Sequence, residues 1–162
     1  MQDATLVILL KGNPIAEVLL GYKKIGFGQG KYTGIGGKIE RGETMTDAAI
    51  RELVEETDVR IPGPEHLKFS SILEFRFPHK RSWNHRVFVF LAQRWEGVPV
   101  ESNEIRPRWF KLEDVPYSQM WDDARYWLPL ALSGEKFRAY FKFRNDNQTV
   151  KSVKFVPLKQ NP

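Results

Sequence analysis

Gly36-Gly37-Lys38-Ile39-Glu40-Arg41-Gly42-Glu43-Thr44, continued by Arg51-Glu52-Leu53-Val54-Glu55-Glu56-Thr57-Asp58-Val59, is the stretch whose reading decides this chain. It reads as a glycine loop running into an acidic helix. Thr44 suits an N-cap, and Asp47 three residues on stands close to a capping box. Met45, Ala49 and Leu53 recur at i, i+4 and i+8 and would bury one face. Glu52, Glu55 and Glu56 recur at i, i+3 and i+4, so their carboxylates form one adjoining stripe. Like charges at that spacing repel by roughly 0.2–0.5 kcal/mol per pair, and only Arg51 stands beside them. A divalent cation removes the conflict. Mg²⁺ takes oxygen ligands and bridges carboxylates to substrate phosphates. Taken alone, the stripe could equally be a solvated acidic helix face; the preceding glycines favour the site.

The spacing resembles the Nudix box. That pattern asks for Gly, five residues, Glu, seven residues, then Arg-Glu-aliphatic-any-Glu-Glu-any-Gly-aliphatic. Gly37, Glu43, Arg51, Glu52, Leu53, Glu55, Glu56 and Val59 fill its places. Asp58 stands where the pattern has Gly. That position follows the helix, where positive φ is common, and Asp tolerates such a backbone better than most residues. The resemblance implies a Nudix fold of the α/β (α+β) class, an α/β/α sandwich around a mixed β-sheet.

Outward from the box, composition sets the frame. The 162 residues suit one domain, 1–162, with a sizeable core. Hydrophobic residues at 41% and charged residues at 28% are ordinary for a globular protein. The chain lacks cysteine, which excludes disulfides, thiolate catalysis and zinc-thiolate sites. No apolar run reaches the ~20 residues of a membrane span, and the N-terminus lacks a signal-peptide pattern. These absences predict a cytoplasmic protein with no membrane partner. Lys and Arg exceed Asp and Glu by 25 − 20 = +5. The basic residues are scattered, with a looser cluster from Lys136 to Lys159, read as solvated strand faces; no nucleic-acid partner is expected.

The element pattern alternates strands with two main helices, hence mixed α and β. Strands are predicted at Ala4–Leu10, Glu17–Tyr22, Phe69–Phe77, Arg86–Ala92, Phe137–Phe143 and Ser152–Val156, with another inside Glu101–Leu112. Lys23–Gly34 reads as a glycine-rich basic loop near phosphate or simply solvated. Ser118–Leu132 has helical spacing in Met120, Ala124, Trp127 and Leu128, with Pro129 as a kink or stop. His66, His79 and His85 sit at no metal-ligand spacing and read as structural or solvated. No Walker-type loop or nucleophile elbow exists.

The resemblance extends past the box. Gly21-Tyr-Lys-Lys-Ile-Gly-Phe-Gly-Gln-Gly30, Gly34-Ile-Gly-Gly-Lys38, Pro99-Val-Glu-Ser-Asn-Glu-Ile-Arg-Pro107, Trp109-Phe110, Met120-Trp121, Tyr126-Trp127 and Tyr140-Phe-Lys-Phe143 look like one Nudix branch, the animal MutT homologues. That branch hydrolyses oxidised purine nucleoside triphosphates such as 8-oxo-dGTP. The likeness implies Mg²⁺ (or Mn²⁺), release of monophosphate and pyrophosphate, a role in nucleotide-pool sanitation and DNA damage prevention, and a monomer. It makes Glu52, Glu55 and Glu56 catalytic metal ligands, joined by the Gly36 carbonyl and Glu104. Arg51 would orient a box glutamate. Lys23, Gly37 and Lys38 would face phosphate. Thr5, Phe27, Thr33, Leu73, Trp121 and Asp123 would line the nucleoside pocket. Without the likeness, Trp121 reads as core and Glu104 as a surface acid.

Two departures touch the base. The branch has Asn where this chain has Thr33, and two successive acids where it has Asp123-Ala124. The acid pair here is Asp122-Asp123, shifted by one residue, so either acid could read the base. Other functions compatible with the box are hydrolysis of a dinucleoside polyphosphate or a nucleotide sugar, and a sensor that binds without cleaving. The complete set of box acids argues against the sensor.

Overall fold

The computed structural model describes residues 1–162. In chain order it holds β1 (Gln2–Lys11), β2 (Glu17–Lys23), β3 (Tyr32–Thr33), α1 (Met45–Thr57), β4 (Lys68–Arg76), β5 (His85–Ala92), β6 (Ile105–Lys111), α2 (Ala124–Leu132), β7 (Phe137–Phe143) and β8 (Val150–Pro157). All eight strands join one mixed sheet in the order β3-β2-β1-β5-β4-β7-β8, with β6 on β2. β1 runs parallel to β5 and β4 parallel to β7; the other neighbours are antiparallel.

Period-two burial makes both layers. In β1, Val7 and Leu9 face α1, while Ile8 and Leu10 face α2. In β5, Phe88 and Phe90 likewise join the α1 core, and Val87 and Val89 the α2 core. The α1 layer closes over Ala49 and Leu53, both fully buried. Truncating such a leucine costs about 2–5 kcal/mol. The α2 layer closes over Trp127, Leu128 and Ala131. No helix is long and apolar enough to cross a membrane.

Local signals around α1 hold. The Thr44 hydroxyl accepts the Asp47 N–H at 3.0 Å, leaving one helix-terminal donor fewer to satisfy. Asp58 caps the other end at φ 60, in the left-handed region, and its N–H bonds to the Val54 carbonyl. The second helix is shorter than its spacing predicts. Tyr117–Gln119 is a 3₁₀ turn and α2 begins only at Ala124. Tertiary contacts override the spacing: Asp122 is tied to Val150 of β8, and Met120 is extended. Pro129 lies inside α2 and does not stop it; the helix ends at Ser133, whose N–H reaches the Pro129 carbonyl at 3.1 Å.

Candidate active site

The site begins with a fault in the sheet. β1 and β2 pair only at Leu10–Val18 and Lys11–Glu17, then diverge. The glycine segment enters the wedge. Tyr32 and Thr33 pair with β2, while Ile35 and Lys38 bridge to β1. No side chain fits at the crossing, because a Cβ on Gly36 would lie 1.8 Å from the Thr5 carbonyl oxygen. A cavity of about 770 Å³ opens against this wedge.

One end of the cavity is acidic. Glu52, Glu55 and Glu56 of α1 line it with Glu104, Lys23, Lys38, Gly36 and Gly37. Gly37 packs against the Glu52 carboxylate, where a Cβ would come to 2.4 Å of Oε1. Arg51 is the one predicted site residue outside the cavity. It works from behind. Its guanidinium donates to both oxygens of Glu43 at 2.6 and 2.9 Å, to Glu52 Oε1 at 2.9 Å, to Glu55 Oε2 at 3.3 Å and to the Lys38 carbonyl at 3.1 Å. The Arg51 bonds, with the Glu40 N–H, hold the Glu43 carboxyl at about 2. Arg51 therefore ties loop to helix and fixes the rotamer of Glu52.

Glu56 is the strained member. It is 4% exposed, and its Oε2 has no hydrogen-bond partner. Burial pushes its carboxyl up to about 8, and the neighbouring Glu52 and Glu104 charges add to that while Lys23 opposes it. Burial also raises Glu52. Lys23 Nζ lies 3.7 Å from Glu104 Oε2. Three acids or histidines do not yet meet at metal-ligand spacing, since Glu52 and Glu55 are turned onto Arg51. The Gly36 carbonyl accepts no backbone bond, whereas its neighbours Ile35 and Gly37 accept the Val7 and Thr5 N–H groups.

The other end is aromatic. Phe27 and Trp121 stack at 5.1 Å and 17°, with Lys31 Nζ 5.0 Å from the indole centroid. Thr5, Thr33, Leu73 and Asp123 complete the predicted lining. The Thr5 hydroxyl is buried without a partner. Asp123 is 6% exposed and accepts the Trp127 indole N–H on Oδ2 at 2.8 Å. Burial drives its carboxyl up to about 7 against that bond.

His85 and Trp83 escaped the sequence reading of this end. His85 lines the cavity, 4.8 Å from Phe75 and 5.5 Å from Phe27, with Nδ1 2.7 Å from the Trp83 carbonyl. Burial lowers its pKa. A period-two signal was present, because His85, Val87 and Val89 occupy alternate positions of one strand. Trp83 sits in a 3₁₀ turn and carried no such signal.

The two neighbouring acids point apart. Asp122 lies outside the cavity, and its carboxylate accepts the Val150 N–H and the Arg125 Nε–H, each at 2.8 Å. Asp122→Ala is therefore expected to cost about 1–2 kcal/mol by orphaning the Val150 N–H. Thermal melting should fall by a few degrees with the specificity constant unchanged. A tenfold kinetic loss at unchanged melting temperature would instead make Asp122 the base reader.

A mixed sheet between two helices, with an acidic cluster and a stacking face in one cavity, defines a hydrolase class built for charged nucleotides. The chain belongs to the Nudix family: the NUDIX domain matches residues 1–131. It is 41% identical over 149 residues to an "Oxidized purine nucleoside triphosphate hydrolase" of Danio rerio, covering 90% of this chain and 89% of that one. A Mus musculus protein of the same description is 40% identical over 148 residues, covering 91% and 90%. Among solved structures, the MutT protein of Bacillus halodurans superposes with a TM-score of 0.79 at 23% identity, covering 96% of this chain and 97% of that one.

Proposed function

We propose that this protein is a cytoplasmic, monomeric, Mg²⁺-dependent diphosphatase acting on oxidised or otherwise modified purine nucleoside triphosphates such as 8-oxo-dGTP. It releases monophosphate and pyrophosphate, and so clears the nucleotide pool of damaged precursors. Residues 1–162 form a single domain on this reading, with β7 and β8 completing the sheet beyond the family match. The observation that carries it is one continuous cavity joining the box carboxylates to the Phe27–Trp121 stack. The animal relatives that match nearly the whole chain support the substrate class.

The donor set fits a hard divalent cation. Glu56 presents an unpartnered buried oxygen, Glu52 and Glu104 crowd it, and the Gly36 carbonyl is free of backbone bonds. Glu52, Glu55, Glu56, Glu104 and the Gly36 carbonyl would hold Mg²⁺, which supplies charge neutralisation at phosphate and a more acidic bound water. Arg51 keeps the Glu52 carboxylate aimed, and its 2.9 Å bond opposes the rise that burial causes. Lys23 and Lys38 bring positive charge to the phosphate end. A box glutamate accepts the proton of the attacking water. Trp121 offers its face to the base, Thr33 and Leu73 shape the pocket, and Asp123 presents its free Oδ1 to the purine edge.

A hydrolysis panel of canonical, oxidised and methylated nucleoside triphosphates, dinucleoside polyphosphates and nucleotide sugars tests this. The modified purine triphosphates should give the highest specificity constants. Preference for a dinucleoside polyphosphate or nucleotide sugar would overturn the substrate assignment.

Metal linkage gives a second check. Glu56 titrates near 8 folded against a carboxylate value of 4.5 unfolded, so the folded state holds the extra proton between those limits. Asp123 does the same between 3.8 and about 7. Metal-free stability should thus be highest near pH 4 and fall as pH rises to 8. A cation competes with the Glu56 proton. Millimolar Mg²⁺ should raise the melting temperature by more at pH 8.5 than at pH 6.5. No shift at either pH would count against a metal at this end.

A further inference from the structure

On the α1 side of the sheet, β7 and β8 contribute no buried residue to the core beneath the helix. α1 lies on β1 and β6. The register sets Arg138, Tyr140 and Lys142 of β7 beside Ile72, Glu74 and Arg76 of β4. On the other flank, Tyr140 and Lys142 pair with Lys154 and Ser152 of β8. Ile72 belongs to the core under α1, so this row shares that side of the sheet but lies beyond the helix. Tyr140, Lys142, Ser152 and Lys154 are all exposed.

A hollow of about 590 Å³ is sunk into this face. Arg76, Arg81, Lys142 and Lys154 line it, and no acid does. The nearest carboxylate, Glu74, is already engaged by Arg76 at 2.7 Å and Arg138 at 3.1 Å. No ion pair of the chain involves Arg81, Lys142 or Lys154. Three uncompensated cations therefore line the hollow with the exposed Tyr140, whose ring carries the Arg138 guanidinium 5.2 Å from its centroid. Asn84, which lines both this hollow and the catalytic cavity, accepts the Phe77 N–H on Oδ1.

We propose that this face is a binding surface for single-stranded nucleic acid, whose lining shares only Asn84 with the catalytic cavity. Arg76 of β4 stands beside Lys142 of β7, and Lys154 of β8 beside Tyr140 two residues along, so with strands ~4.8 Å apart the cations run across the sheet in a line that a phosphate backbone can follow. A basic groove with an aromatic platform is the combination that holds single strands without reading sequence. Tyr140 supplies the stacking face and the two lysines the backbone contacts. A concave hollow with an exposed ring in its lining suits an extended strand better than a flat lipid surface. The sequence reading placed these cations among solvated strand faces and expected no nucleic acid. It could not see that Arg76 and Arg81, some sixty residues earlier, join Lys142 and Lys154 on one wall.

The test is fluorescence anisotropy of the full chain with a labelled single-stranded oligothymidylate, across a salt series. Wild type should bind with log K falling steeply with log salt, at about −0.7 per phosphate contact. K142E/K154E should weaken binding tenfold or more and flatten that slope by about two contacts. Tyr140→Ala should weaken it about tenfold with the slope unchanged. Excess nucleoside triphosphate should not displace the strand, and triphosphate hydrolysis by all three proteins should be equal. Unchanged affinity and slope in K142E/K154E, or displacement by triphosphate, would overturn the proposal. So would binding to phosphatidylserine vesicles with none to the oligonucleotide, which would make the face a membrane contact.

Discussion

Glu56→Gln is expected to cut turnover roughly a hundred- to thousandfold, the range for losing one preorganised polar group in a water-excluded site. The fold should survive, because Gln keeps the volume in a well-packed position at the edge of the α1 core. Charge is what changes. The buried Oε2 has no partner within the protein, which leaves it open to a bound cation. Gln cannot supply the negative charge a hard cation needs. A second measurement separates this from simple damage. Without metal, wild-type Glu56 must ionise at an unfavourable site above pH 8, and Gln has no such cost. At pH 9 the metal-free variant should melt at or above wild type, while its Mg²⁺-induced shift disappears. Half of wild-type activity at saturating Mg²⁺ would sink the metal role of Glu56.

Asp123→Ala should lower the specificity constant for the preferred modified purine by ten- to a hundredfold. The estimate follows from leaving a buried polar group unpaired, about 1–3 kcal/mol, at about 1.4 kcal/mol per decade. Triphosphates not read at that edge should lose much less. Asp123 is poised between two roles. Its carboxyl titrates at about 7 because it is buried, so near neutrality it can accept only, or also donate. One oxygen is committed to the Trp127 N–H, and on the proposed reading the other meets the purine edge. Asp123→Asn keeps a donor at every pH and removes the titration. Its activity should lose the pH dependence that wild type shows around 7. Equal kinetics in Asp123→Ala, Asp123→Asn and wild type would remove the purine-edge role.

The contrast with Asp122 shows what position along the chain leaves undecided. Both acids follow Trp121, and either could be slid into register with a base. Asp122 turns outward because the Val150 N–H and Arg125 need its oxygens. Asp123 turns inward because α2 begins at Ala124 and carries Trp127 over it. One residue of rotation therefore separates a structural tether from a pocket wall.

Local sequence determined α1 and set its acids on one stripe, and the likeness to the box made that stripe a site. Helical period, the Thr44 cap and the box pattern are all local, within some twenty residues, and local geometry follows directly from such spacing. The alternating strands were legible for the same reason, as were the left-handed Asp58 and the buried face of β7. The tertiary structure decided the rest. Glu56 is buried and unpartnered while Glu55, one residue away, is exposed and held by Arg51; helical spacing separates them, since Glu56 falls three residues past Leu53 and seven past Ala49, but that the buried oxygen finds no partner is decided by the tertiary packing. The wedge exists because β1 leaves β2 after two pairs and takes Ile35 and Lys38 instead. Glu104, Trp121 and His85 reach one cavity only through strand pairings between distant parts of the chain. Such long-range register has no short-range signature, because it is fixed by which apolar faces bury together rather than by any neighbour in sequence.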